Sequence, residues 1–407
     1  TAANLLLGGA NTISTLNSLS ATGTISLQDT AALNVNGNVA AVVITLAAAG
    51  LDLASQISAT GLALLDSSGS LSQSGGGLNA GTLSGSIAND ASLGGTLNSI
   101  ATLAGFTAGG TLNLTDQTAL TQTGSVAGAN VTLAAAGLAL NGNVSATSSL
   151  NLTSTGSLSQ GSTLSGNSIS LSGTSLALDG TVDATALNLD ASAGISQAGT
   201  GVLSVASLTG IGTPSGAILL GGTANAIGTL EALAAGQNIL IANASTAVIA
   251  GQVSAGTALT LQGAGFTESG AGAIDATLLT GSLSGGLALG GSNAIGTLGA
   301  LAASGNVQLA DTSALAIAGL VSTTGTLSLT GTGAVNEIAG GTLDISALTG
   351  SIGGALSLAN ANSIGSLGAL SASGNIVLDN TGTITLGGAV SAGTSLALAT
   401  NGLLEGP

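Results

Sequence analysis

One short beat governs this chain: an apolar residue, any residue, then an apolar residue, returning every 19 or 20 positions. Leu112/Leu114, Val131/Leu133, Leu150/Leu152 and Ile169/Leu171 recur at intervals of 19. Ile239/Ile241 to Leu259/Leu261, Val307/Leu309 to Leu327/Leu329 and Ile376/Leu378 to Leu396/Leu398 recur at 20. Alternation of period two marks strands with one buried face, and the Gly, Asn, Ser and Thr between the pairs are turn formers. A helical reading fails. The apolar residues do not recur at three and four, and each of the 68 Gly would weaken a helix by about 1 kcal/mol relative to Ala.

The beat sits inside longer blocks. "NAIGTLGALAASGNVQLAD" from Asn293 returns as "NSIGSLGALSASGNIVLDN" from Asn362, an offset of 69 that also relates Glu268 to Glu337 and Asp275 to Asp344. Earlier, the stretch Val43 to Gln73 matches Asn130 to Gln160 without a gap at an offset of 87. An Asn-x-Ile motif opens at Asn11, Asn98, Asn225, Asn293 and Asn362, and at one constant interval beyond them stand Asp29, Asp116, Asn243, Asp311 and Asn380 in turn. That free exchange of Asp with Asn fits a turn whose side chain bonds backbone two residues on, rather than a ligand. The repeats divide the chain into sub-blocks 1–97, 98–224, 225–292, 293–361 and 362–407 of one continuous domain, 1–407.

A repeat of about 20 residues holding two or three short strands is the size of one coil of a parallel β-helix. The fold expected is therefore all-β, a β-solenoid of about 20 coils of roughly 19–23 residues, in which each strand pairs with its equivalents above and below. At roughly 4.8 Å per coil, such a stack is on the order of 100 Å long, and its partners are neighbouring coils of the same or an identical chain. The chain opens on Thr1 without a signal-like stretch and closes on "NGLLEGP", and it reads as a mature or excised piece of a longer rod.

Several steps of the repeat carry a resemblance. "GNVQL" at Gly305 to Leu309, "GTLSL" at Gly325 to Leu329, "GNVSA" at Gly142, "GQVSAG" at Gly251 and "ALTGS" at Ala347 to Ser351 are similar to the repeat regions of filamentous-haemagglutinin-like bacterial exoproteins, over nearly the whole chain. The resemblance implies a right-handed β-helix and a secreted or cell-surface shaft in a large adhesin, carried across the outer membrane by two-partner or autotransporter routes. It places any host-cell or surface receptor contact in regions outside this chain. The family's NPNG- and NPNL-type secretion signatures are missing here.

Composition narrows the chemistry. The net charge is −16 with no Lys, Arg or His, so nothing neutralises phosphates and nucleic acid is a poor partner. Two Phe and no Trp or Tyr leave no stacking platform for bases. Without Cys there is neither disulfide nor thiolate metal site. The longest apolar run, Val39 to Leu51, is too short for a spanning helix, which needs about 20 residues, and reads as buried strand.

The same absences remove the Ser-His-Asp triad, the Cys-His pair and the Ser-Lys dyad, and a non-enzymatic role is expected. The densest acid cluster, Asp179, Asp183 and Asp190, supplies the only candidates for a carboxylate pair of the glycosidase type or for a Ca²⁺ site. The alternative is three acids on a solvated outer face. No cofactor is expected beyond that Ca²⁺. "GIGTPSG" at Gly210 to Gly216 imitates a dinucleotide loop, but its repeat-mates "GSLSGG" and "GSIGG" identify it as a structural turn. Beside the shaft stands a second function, a self-assembling extracellular filament or surface-layer subunit joined through open coils.

Overall fold

The structure is a computed structural model that describes residues 2–406. Among them every regular element is a β-strand, and the strands wind into a parallel β-solenoid of about 20 turns. The chain forms two compact units, 1–192 and 193–407.

In the first unit one turn shows the construction. The long strand Val126–Ala135 is followed by the short strand Gly137–Leu140, and the next coil repeats the pair as Val144–Ser154 and Leu158–Gln160. The long strand bends once, where the register shifts between Gly128 and Asn130. Each coil thus presents three straight segments to three parallel ladders. Val126 pairs with Val144 and Val144 with Leu164; Val131 pairs with Leu150 and Leu150 with Ile169; Leu138 pairs with Leu158 and Leu158 with Leu176. All of these side chains are buried, so the three columns meet in one aliphatic core. Burial of each Leu, Ile or Val contributes about 1.5–3 kcal/mol, and hydrogen bonds along the ladder hold the register.

The second unit uses the same plan with a beat of 20. Ile239 pairs with Leu259 and Leu259 with Leu279, while Val307 pairs with Leu327 and Ile376 with Leu396. The apolar pairs that define the repeat are therefore ladder partners one coil apart, at the intervals their spacing implies.

Both aromatic residues are core. Phe106 and Phe266 are fully enclosed, and room for Phe106 comes from its neighbours in the stack. It lies in register with Gly85, where a Cβ would stand 2.7 Å from the Phe106 ring and 2.3 Å from the carbonyl of Leu65.

The run Val39 to Leu51 departs from the expected single buried strand. It comprises Val39–Ala48 and the start of Gly50–Leu53, with Ala49 between them. Its burial alternates, so that Val42 is 46% exposed between buried Ala41 and Ile44. Small Ala side chains hid the alternation, because Ala is apolar on either face of a strand. No helix among the described residues is long and apolar enough to cross a membrane.

Candidate functional site

Polar side chains enter the interior at recurrent corners, and the Asn-x-Ile motif is the centre of each. Asn98, Asn225, Asn293 and Asn362 have no solvent exposure at all. Each reaches forward one coil: Nδ2 donates to the carbonyl 17 residues on, that of Thr115 (2.9 Å), Ala242 (3.1 Å), Ala310 (3.0 Å) and Asp379 (3.1 Å). Each also reaches back, Oδ1 accepting the N–H of Leu78, Leu203, Ile274 or Leu343 at 2.7–2.8 Å. One carboxamide stitches three successive coils, and only Asn supplies both donor and acceptor at that reach.

The Asp or Asn that follows each motif at the constant interval closes the corner. Asp116 Oδ2 accepts Ile100 N–H at 2.7 Å while Oδ1 accepts Thr118 N–H at 2.8 Å. Asp29 and Asp311 repeat both bonds. At the Asn variants, Oδ1 accepts from Ile227 or Ile364, while Nδ2 donates to the carbonyl of Ser245 or Gly382 two residues on. The expected bond to backbone two residues on is present in both chemistries, as an Asx turn at the Asp positions and as a bond from Nδ2 to the carbonyl at the Asn positions, and it is buried in both.

The sequence alone does not single out a further member of these corners. In the coil before each central Asn stands Gln73, Gln197, Glu268 or Glu337. Gln73 Nε2 donates to Asn98 Oδ1 at 2.7 Å, and Gln73 Oε1 accepts from Asn98 Nδ2 (3.1 Å) and Gly95 N–H (3.0 Å). Gln197 makes the same three bonds with Asn225 and Gly222. Glu268 Oε2 accepts from Gly291 N–H (2.6 Å) and Asn293 Nδ2 (3.2 Å), and Glu337 Oε2 accepts from Asn360 N–H (2.8 Å) and Asn362 Nδ2 (3.2 Å). The other oxygen, Oε1 of Glu268 and of Glu337, is buried with no hydrogen-bond partner. Burial pushes both carboxyls above the ordinary carboxylate range against the opposing pull of those hydrogen bonds, and the charge of Asp379 adds to the push on Glu337. Three of the loops after these residues turn through a left-handed glycine, Gly76, Gly270 or Gly340, a conformation that a side chain would strain. The signal available in sequence was the equal spacing of Gln73 from Asn98, Glu268 from Asn293 and Glu337 from Asn362, which is stretched between Gln197 and Asn225.

The acids Asp179, Asp183 and Asp190 stand elsewhere. Asp179 follows the strand Thr163–Leu178 and is exposed; Asp183 is exposed on the strand Thr181–Ser196, and Asp190, half-buried on that strand, accepts a bond from Ser172 Oγ at 3.3 Å. No group of three or more acids that could hold a metal is found among the described residues. In the second unit a shallow groove crosses several coils, lined by Ser282, Ser304, Thr324, Asp344, Ser346 and Ser363 among others. Asp344 is its one titratable group. "GIGTPSG" forms a turn with Gly212 at φ 77° between the strands Val202–Ile211 and Ile218–Leu220, and no helix follows it to face a phosphate.

Comparison of the chain with protein-family models, with curated proteins and with solved structures gives no match.

Proposed function

We propose that this chain is a non-enzymatic shaft segment of a secreted or cell-surface protein, of the kind its repeat steps resemble in filamentous-haemagglutinin-like adhesins. One observation carries the reading: like residues stack on like residues, coil after coil, in both units. In such a stack every added coil adds about 4.8 Å of reach and one more rung of core without requiring a new kind of residue. The polar corners support it, because their bonds are spent on joining coils and not on presenting groups outward. Exposed positions carry mainly Ser, Thr, Ala, Gly and Asn, a surface suited to spacing rather than to capture.

The second reading is a filament subunit joined end to end through open coils. Negative-stain electron microscopy of the purified chain over a concentration series, with and without a calcium chelator, separates the two. A shaft gives discrete elongated particles on the order of 100 Å at every concentration. Fibres that lengthen with concentration support the filament, and compact round particles defeat both.

A further inference from the structure

Two of the four corners are one proton short. In the Gln73 and Gln197 corners the side-chain amide gives and receives: Oε1 accepts two N–H groups and Nε2 donates to Oδ1 of the central Asn. In the Glu268 and Glu337 corners Oε2 likewise accepts the Asn Nδ2 and one backbone N–H, here from two residues before the Asn (Gly291 or Asn360) instead of three, and the donating role falls to Oε1, an oxygen without a partner. The Asn Oδ1 of these corners keeps its backbone bond, to Ile274 or Leu343. A carboxylate has no hydrogen to offer there. A carboxylic acid has one, and supplies the donor that the Gln amide gives to the central Asn.

We infer that Glu268 and Glu337 are proton-operated latches: with Oε1 protonated, the hydroxyl donates to Oδ1 of Asn293 or Asn362 and closes the corner as Gln73 and Gln197 do, and ionisation opens it. No covalent bond changes in the chain's skeleton; a proton moves between solvent and Oε1. The groups around each latch are few. The strand of Glu268, Gln252–Glu268, pairs with Leu233–Ala235, Ile239–Ile249, Ala273–Leu283 and Leu287–Ala303, and the one further acid on these strands is Asp275. Near Glu337, Thr342–Ile352 brings Asp344 and Ile376–Leu386 brings Asp379, while Leu315–Ile317 and Leu356–Ala372 bring none. No cationic side chain exists in the sequence to hold either carboxylate ionised.

The direction of the response follows from linkage. Burial raises the folded-state pKa of both groups above the ordinary 4.5. Their contribution to stability is complete below about 4.5, the unfolded value, and is lost as pH rises through the higher folded value. The second unit therefore tightens in mild acid at these two corners, while the Gln73 and Gln197 corners do not respond.

Hydrogen exchange read by mass spectrometry on the intact chain tests this at the amides of Ile274 and Leu343, with Leu78 and Leu203 as internal references. In the wild type, protection at Ile274 and Leu343 rises roughly tenfold or more from pH 7.5 to pH 4.5, after correction for intrinsic rates, as one buried bond is restored; at Leu78 and Leu203 it stays flat. In E268Q/E337Q, protection at Ile274 and Leu343 is high at both pH values. The converse variant Q73E transfers the pH response to Leu78. A flat wild-type profile at Ile274 and Leu343 overturns the inference. So does a pH response that survives in E268Q/E337Q, or a Leu78 amide in Q73E that ignores pH.

Discussion

The same one-atom exchange should have opposite consequences at two positions of one corner, Asn98→Asp and Asp116→Asn. Asn98 is fully buried, and its Nδ2 donates to Leu93 O at 3.0 Å and Thr115 O at 2.9 Å. Aspartate keeps the acceptor for Leu78 N–H but takes both N–H hydrogens away and turns an oxygen toward two backbone carbonyls and Oε1 of Gln73. Each stranded buried group costs about 1–3 kcal/mol, so N98D loses about 2–6 kcal/mol, and holding the new carboxyl neutral moderates but does not remove that cost. Asp116 is nearly as buried, yet it only accepts, from Ile100 and Thr118. Asn243 and Asn380 show that an amide fills this place by accepting one N–H and donating to the carbonyl two residues on, so D116N changes stability by less than about 1 kcal/mol. Guanidinium unfolding followed by circular dichroism, paired with hydrogen exchange at Leu78 because a stack of coils need not unfold in one step, measures both. Equal losses for the two variants would refute the claim that the first position needs a donor and the second only an acceptor.

Other expectations follow from the core and the surface. Phe106→Ala should cost about 3–5 kcal/mol, since the cavity it leaves lies against Gly85 and cannot be refilled from there; thermal unfolding reads this. Gly85→Ala should lose about 1–3 kcal/mol through its contact with the Leu65 carbonyl, with little recovery in the double variant with Phe106→Ala, because the backbone contact persists. Replacing Asp179, Asp183 and Asp190 together by Asn should leave the melting temperature unchanged with calcium or with a chelator, as no group of three acids gathers among the described residues; a calcium-dependent rise in the wild type that the variant lacks would assign them a metal.

What could be read in the sequence was what repeats at one fixed interval. Leu133, Leu152 and Leu171 announce their ladder because a coil of constant length returns the same face to the same column. The Asx turn was legible for the same reason, its partner atoms lying two residues away. The Gln or Glu of each corner was not. Gln73 and Asn98, like Gln197 and Asn225, lie further apart than one beat of the repeat, across loops of unequal length, so spacing alone does not bring the two together. Burial of Asp29, Asp116 and Asp311 was hidden as well, since acids in turns are ordinarily solvated.

A chain without a single basic side chain must solve the burial of acids in another way. No ion pair is possible with a Lys, Arg or His, so a carboxylate brought inside is held by backbone N–H groups or it is not held as an anion. Asp116 meets donors at both oxygens: one N–H at Oδ2, and at Oδ1 both the N–H and the hydroxyl of Thr118. Glu268 and Glu337 do not, because the corner was shaped around an amide and offers donors to only one oxygen. The chain has no cation of its own to complete the count, and a proton from solvent does so. In such a molecule the difference between Gln and Glu at a corner is the difference between a bond that is permanent and one that depends on pH, and a single amide-to-acid exchange in a repeat is enough to introduce it.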